Sequence, residues 1–200
     1  MKRVYFAFIL VFLGISLSFS AEGILIDDFE ASITGGPQGT VDFGSGNGSF
    51  VDVKVNKDIK YSGKQSMMVK YDSVSGGYMW IARGFGLDAK NSAWLVGPDG
   101  IAWNKVKGIS LYMYGSNSGA RIALDIKDSG NEIWRIMFDD NFKEWKQVTC
   151  DFVNFFARGD WQPDGADKNA VLNFPIKSYR FELRSEGKGT LYFDQVELYL

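Results

Sequence analysis

The fold is decided between residues 109 and 127. There Ile109-Ser110-Leu111-Tyr112-Met113-Tyr114 leads, after Gly115-Ser116-Asn117-Ser118-Gly119, into Arg121-Ile122-Ala123-Leu124-Asp125-Ile126-Lys127. Apolar residues recur at every second position in both runs, the period of a strand buried on one face. Gly, Ser, Asn and Asp fill the stretch between them and the stretch 128–131, so tight reversals and an antiparallel meander are expected. Working outward, residues 133–138, 145–150, 178–184 and 190–198 read as later strands, and 24–29, 50–55, 66–71 and 77–85 as earlier ones. Residues 35–49 hold many glycines and read as a mobile loop, and no stretch reads as a helix of more than a turn or two. About eight to ten short strands separated by turns predict an all-β domain, a two-sheet antiparallel sandwich of jelly-roll topology.

Composition sets the boundaries of function. Lys2 and Arg3 precede a charge-free apolar run from Val4 to Leu13 and a Ser-rich end, the pattern of a cleavable secretory signal. Cleavage after Ser20 is expected, leaving residues 21–200 as one secreted or periplasmic domain with no membrane span. Loss of Lys2 and Arg3 takes the formal net charge from −2 to −4, which does not suit nucleic acid. Cys150 is the only cysteine, so it reads as a core residue and no internal disulfide is available. Histidine is absent, which removes a Ser-His-Asp triad, a Cys-His pair and a His-bearing zinc site. No nucleophile with an adjacent base is visible, so no catalytic residue is assigned. Aromatic residues make up 16% of the chain, enough to spare some for flat, partly apolar ligands such as sugar rings.

Alternation also nominates a polar face. With Ile122, Leu124 and Ile126 inward, Arg121 and Asp125 point outward; with Phe181 and Leu183 inward, so do Arg180, Glu182 and Arg184. Trp134, Ile136 and Phe138 inward add Arg135 to that set. Planar guanidinium and carboxylate groups can bond vicinal sugar hydroxyls in pairs, although the same residues could simply pair across a solvated sheet. Tyr78, Tyr112 and Trp161 are the candidates for stacking on sugar, Trp134 and Trp145 read as core, and Trp80, Trp94 and Trp103 have no assignment.

Five segments, in order, resemble a known family. They are Ile26-Asp27-Asp28-Phe29-Glu30, Tyr61-Ser62-Gly63-Lys64-Gln65-Ser66, Trp145-Lys146-Gln147-Val148, Arg158-Gly159-Asp160-Trp161-Gln162-Pro163 and Leu191-Tyr192-Phe193-Asp194-Gln195-Val196-Glu197-Leu198. Together they resemble carbohydrate-binding modules of the galactose-binding-like jelly-roll type, and the Trp-Gln-Pro loop most resembles family 11, which binds β-glucans. The resemblance implies that the 158–163 loop, with Trp161 and Gln162, borders a polysaccharide site, and that a secreted glycoside hydrolase is a partner. It also implies a structural calcium held by Glu30 and Asp194 with a carbonyl from the turn at Lys64, ligands of the hard oxygen type that calcium takes.

Two other functions remain open at this point: a structural or adhesive envelope sandwich without a sugar ligand, and a jelly-roll polysaccharide lyase using Tyr and Arg. Gly44 to Gly48 lacks the Lys-Ser/Thr of a phosphate loop and reads as flexible.

Overall fold

Apolar alternation becomes twelve antiparallel strands in the computed structural model, which describes residues 23–200. The proposed signal segment lies outside the described residues. One sheet runs in the order β3 (Phe50–Asn56), β4 (Ser66–Ser73), β12 (Gly187–Tyr199), β6 (Gly108–Ser116) and β9 (Lys143–Asp151), with β1 (Gly23–Asp27) also paired to β12. The other runs β10 (Phe156–Ala157), β8 (Ile133–Asp139), β7 (Arg121–Lys127), β11 (Ser178–Leu183), β5 (Tyr78–Gly84) and β2 (Asp42–Gly46). Among the described residues the only helical pieces are three 3-10 turns, Pro98–Gly100, Trp103–Lys105 and Phe152–Asn154. None of them is long enough to cross a membrane.

The inner faces meet in an apolar core. Leu111, Met113, Val69 and Phe193 come from the first sheet and Ile122, Leu124, Ile81 and Phe181 from the second, all fully buried. Phe181 and Phe193 stack across the sandwich, ring centroids 4.1 Å apart. Each such side chain contributes about 1.5–3 kcal/mol on burial, so the core holds the sheets together without a disulfide. Cys150 is buried here, and burial pushes its thiol up to about 12, with the charge of Asp151 adding to the effect. An ion pair also lies inside. Arg83 on β5 donates through Nε and Nη2 to the carboxylate of Asp27 at the end of β1, and the Tyr179 hydroxyl on β11 donates to the same carboxylate at 2.7 Å.

Three expectations change. The meander is broken: β7 and β8 form a hairpin, but β6 and β7 belong to different sheets, so residues 117–120 cross from one sheet to the other. Asp140 pins that crossing. Its buried carboxylate accepts the hydroxyls of Ser118 (2.7 Å) and Ser116 (3.0 Å) and the backbone N–H of Ser116, Asn117 and Ser118. Residues 42–46 form edge strand β2 where a mobile loop was expected. Trp145 is not core: it sits opposite Tyr114 on the outer face of the first sheet, touching the rings of Tyr114 and Tyr61 edge-on. Trp134 is buried as expected, and its indole N–H donates to Asp128. Of the unassigned tryptophans, Trp94 is buried and stacks near Tyr179, and Trp103 stacks on Phe174.

Candidate functional site

Antiparallel register places Ala82, Arg180, Asp125 and Arg135 side by side on β5, β11, β7 and β8, so side chains far apart in sequence share one outward row. Glu182 lies one outward position further along β11, opposite Ala123. Arg135 is the hub. Its Nε and Nη2 donate to the two oxygens of Asp125 at 2.6 and 2.9 Å, and Nη2 also donates to Glu182. Arg180 donates to Asp125 at 2.7 Å and Arg184 to Glu182 at 2.8 Å. Burial alone would lower the Arg135 pKa, but the hydrogen bonds and charges of Asp125 and Glu182 outweigh it and hold the guanidinium above its ordinary value.

These outward residues are not equally accessible. Arg135 is 4% exposed, with Asp125 and Glu182 as deeply buried, so this trio is a floor and not the freely solvated ligand set that alternation suggested. The reason is the loop of residues 158–163, which follows β10 and folds over β8. Gln162 fixes it: its side-chain oxygen accepts the Ile133 N–H at 2.7 Å, and its amide nitrogen donates to the carbonyls of Ile133 and Arg158 at 3.0 and 2.8 Å. Gln162, expected to contact sugar, therefore spends its polar atoms holding the loop. Arg158 then reaches 3.5 Å from Asp125 and 3.3 Å from Glu182, and pairs with Asp160 at 2.6 Å. The hydrogen bond from Arg158 holds the Asp160 carboxyl down at about 2, with the charges of Arg158, Arg135 and Arg184 assisting against some desolvation. Trp161 is 48% exposed, with the guanidinium carbons of Arg158 and Arg180 each 5.4 Å from its ring centre.

The opposite side of the groove is aromatic as well. Tyr78, 48% exposed, and Trp80 project from β5 with ring planes 14° apart and centroids 6.2 Å apart, and the Trp80 indole N–H donates to Asp42 at 2.8 Å. Between Trp161 and this pair lies a groove of about 880 Å³, floored by Asp125, Arg180, Glu182 and Arg184. It is within the size range of small-ligand sites. Lys127 lies at one end, its ammonium donating to the Gly86 carbonyl, and burial lowers its pKa with Lys177 and Arg180 assisting.

Of the residues nominated from sequence, Tyr78, Trp161, Asp125, Arg180, Glu182 and Arg184 line this groove, and Arg135 lies beneath it. Arg121 points to the same side but sits at the rim, 3.9 Å from Asp139. Tyr112 does not belong to the group. It lies on the outer face of the first sheet, its ring 3.5 Å from that of Tyr61, and its hydroxyl is pushed up to about 12 by the hydrogen bond with Tyr61 and then by burial. Sequence reasoning missed Trp80, Arg158 and Asp160. Trp80 shares the parity of Tyr78 on one strand, a signal that was available; Arg158 and Asp160 come from a loop whose docking only the long-range packing reveals.

Glu30, Lys64 and Asp194 do come together. Glu30 accepts the N–H groups of Lys64 (2.9 Å) and Gln65 (3.2 Å), while buried Asp194 accepts those of Tyr61 (2.9 Å) and Ser62 (3.1 Å). Lys64 thus meets Glu30 through its N–H, where a carbonyl ligand was expected. Burial raises the Asp194 pKa and the charge of Glu30 adds to it, against the bonds from Ser62, Tyr61 and Gln195. Two like-charged carboxylates on one turn suit a hard cation; the N–H groups facing them do not ligate one. Among the described residues no cluster of three or more His, Cys, Asp or Glu is placed to hold a metal.

Comparison with known proteins bears on the family and the fold. The model of the carbohydrate binding domain (family 11) matches residues 18–200. A family 11 module from Clostridium thermocellum, solved in complex with a β-1,3-1,4-mixed-linked tetrasaccharide, superposes with a TM-score of 0.67 at 23% identity, covering 90% of this chain and 97% of that one. The family 11 module of the cellulosomal cellulase Lic26A-Cel5E of Clostridium thermocellum gives a TM-score of 0.67 at 23% identity, covering 90% and 95%. A β-1,2-glucanase from Parabacteroides distasonis shares the fold over 80% of this chain but only 23% of its own, with a TM-score of 0.52 and 14% identity. No curated protein matches the sequence.

Proposed function

The chain belongs to the carbohydrate-binding domains of family 11, and from that premise we propose that it is secreted, lacks catalysis of its own, and binds a β-glucan along the groove of the second sheet. The observation that carries this reading is the groove itself: aromatic rings on two sides and a hydrogen-bonded floor of guanidinium and carboxylate groups. Sugar rings present apolar C–H faces and a rim of hydroxyls, and such a groove offers a partner for each. Arg135, Arg158, Arg180, Arg184 and Lys127 are matched in number around the groove by Asp42, Asp88, Asp125, Asp160 and Glu182, and every guanidinium is already paired with an acid, which favours a neutral glucan over a uronide and so over the lyase reading. Secretion rests on the basic and apolar pattern of the first twenty residues, and a secreted glycoside hydrolase is the proposed partner.

Affinity-gel retardation by a soluble β-glucan tests the reading. Wild type should be retarded, and Trp161→Ala should weaken binding by roughly tenfold, about 1.4 kcal/mol. No retardation by any of several glucans would leave the envelope reading in its place. Calcium between Glu30 and Asp194 is proposed as a structural ion. Stabilisation then grows with the logarithm of free calcium, so a melting point that is the same in excess calcium and in chelator would rule it out.

A further inference from the structure

Edge strand β2 has glycine at 44 and 46, directly opposite Trp80 and Tyr78. Neither glycine has a positive φ, so the backbone there does not itself demand glycine. The demand comes from the rings. A β-carbon on Gly44 would lie 2.5 Å from Cη2 and 2.6 Å from Cζ2 of Trp80, and one on Gly46 would fall inside the contact distance of the Tyr78 ring and hydroxyl. Each ring therefore occupies the space in which a β2 side chain would stand. Glycine weakens a strand interior and often marks a close approach, and an aromatic side chain laid over a cross-strand glycine restores the lost packing.

Both rings lean over the same strand in nearly the same plane orientation, and the Trp80 indole is held there by its bond to Asp42. We propose that Trp80 and Tyr78 form one two-ring platform on which consecutive sugar residues stack, and that Gly44 and Gly46 are its positioning residues. This rests on the groove being a glycan site. Stacking needs an aromatic face held against the flat C–H face of a pyranose, and two nearly parallel rings with centres 6.2 Å apart offer that to neighbouring residues of an extended chain. Arg184, which follows the adjacent strand with about a third of its side chain exposed and its guanidinium held by buried Glu182, is placed to take the hydroxyls at the edges of the same sugars. A methyl group at 44 or 46 lifts one ring off β2 and breaks the shared orientation.

The test is Gly44→Ala and Gly46→Ala in the otherwise unchanged protein, with affinity gels of hydroxyethylcellulose and of a mixed-linkage β-1,3-1,4-glucan. Alanine is a better strand residue than glycine, which offsets the packing lost when the ring lifts, so melting temperature should stay close to that of wild type. Binding should fall by about five- to tenfold in each. Because Gly44 acts through Trp80, Gly44→Ala should cost nothing further in a Trp80→Ala background, a non-additivity that a purely structural role does not produce. Gly97→Ala, whose β-carbon meets nothing, is the control and should bind as wild type does. Trp80→Ala that loses affinity while both glycine variants keep it overturns the positioning role and leaves the groove reading standing. A glycine variant that melts well below wild type also overturns that role, since the glycine would then serve the strand. Wild type retarded by neither glucan overturns the platform and the groove reading together.

Discussion

Two buried arginines divide the molecule. Arg83 lies between the sheets and Arg135 beneath the groove, each 4% exposed, and each makes a two-pronged bond to an aspartate. Their surroundings differ. Around Arg83 the partners close on themselves: Asp27, the Tyr179 hydroxyl and the Thr40 carbonyl. Around Arg135 the acids pass their remaining oxygens outward to Arg158, Arg180 and Arg184, the last with 34% of its side chain exposed. A closed ion pair can only hold the fold; one that ends in exposed donors can also present them to a ligand. Thus the same chemistry is structural in one place and a binding surface in the other.

The sharpest way to break this comparison is to remove the acid from each network. Asp27→Ala leaves the Arg83 guanidinium buried with only the neutral Thr40 carbonyl and Tyr179 hydroxyl, and an uncompensated buried charge costs about 3–5 kcal/mol. That is a large share of the roughly 5–15 kcal/mol by which domains are stable, so the variant should unfold at markedly lower urea. A urea midpoint within error of wild type would show that water reaches Arg83.

Arg135→Ala should cost less, about 1–3 kcal/mol, because Asp125 keeps Arg180 and Arg158 while Glu182 keeps Arg158 and Arg184. Unlike Asp27→Ala it should also weaken glucan binding, since the floor donors then shift toward the vacated acids. Urea titration and affinity gels on the same preparation separate the two effects. Loss of stability with fully retained binding would make this network as purely structural as the first.

The alternation of residues 109–127 foretold the strands and the inward set, because period two is a local property of a half-buried strand. It could not tell which sheet a strand joins. Tyr112 and Asp125 both point outward, yet β6 pairs with β12 and β9 while β7 pairs with β8 and β11, so the two face opposite sides of the sandwich. Depth was equally illegible. Arg135 points outward as parity requires, but the loop pinned by Gln162 covers it, and nothing near Arg135 in sequence announces that loop. Trp145 shows the opposite error: its place in a strand beside alternating apolar positions suggested core, but parity sets it against Val148 and Cys150 and so on the outer face.

The smallest expected effect lies at the exposed end of the open network. Asp160 has its carboxyl held at about 2, first by the hydrogen bond from Arg158, so its folded value lies below the unfolded one. A depressed carboxylate contributes stability above its unfolded pKa and loses it as pH falls through the folded value. The bond between Asp160 and Arg158 should therefore be at full strength from neutral pH to about 5 and fade between roughly 4 and 2. Its side chain is 48% exposed, and solvent screening keeps the contribution to about 1 kcal/mol or less. Alongside Gln162, which fixes the loop, the bond ties Asp160 to Arg158 beside the Trp161 ring, so the fluorescence difference between wild type and Trp161→Phe should be flat down to about pH 5 and change below it. Asp160→Asn should remove that change while leaving the urea midpoint near neutral pH almost unmoved. A change centred near pH 6 to 7, or one that persists in Asp160→Asn, would assign the ordering of the loop to another group.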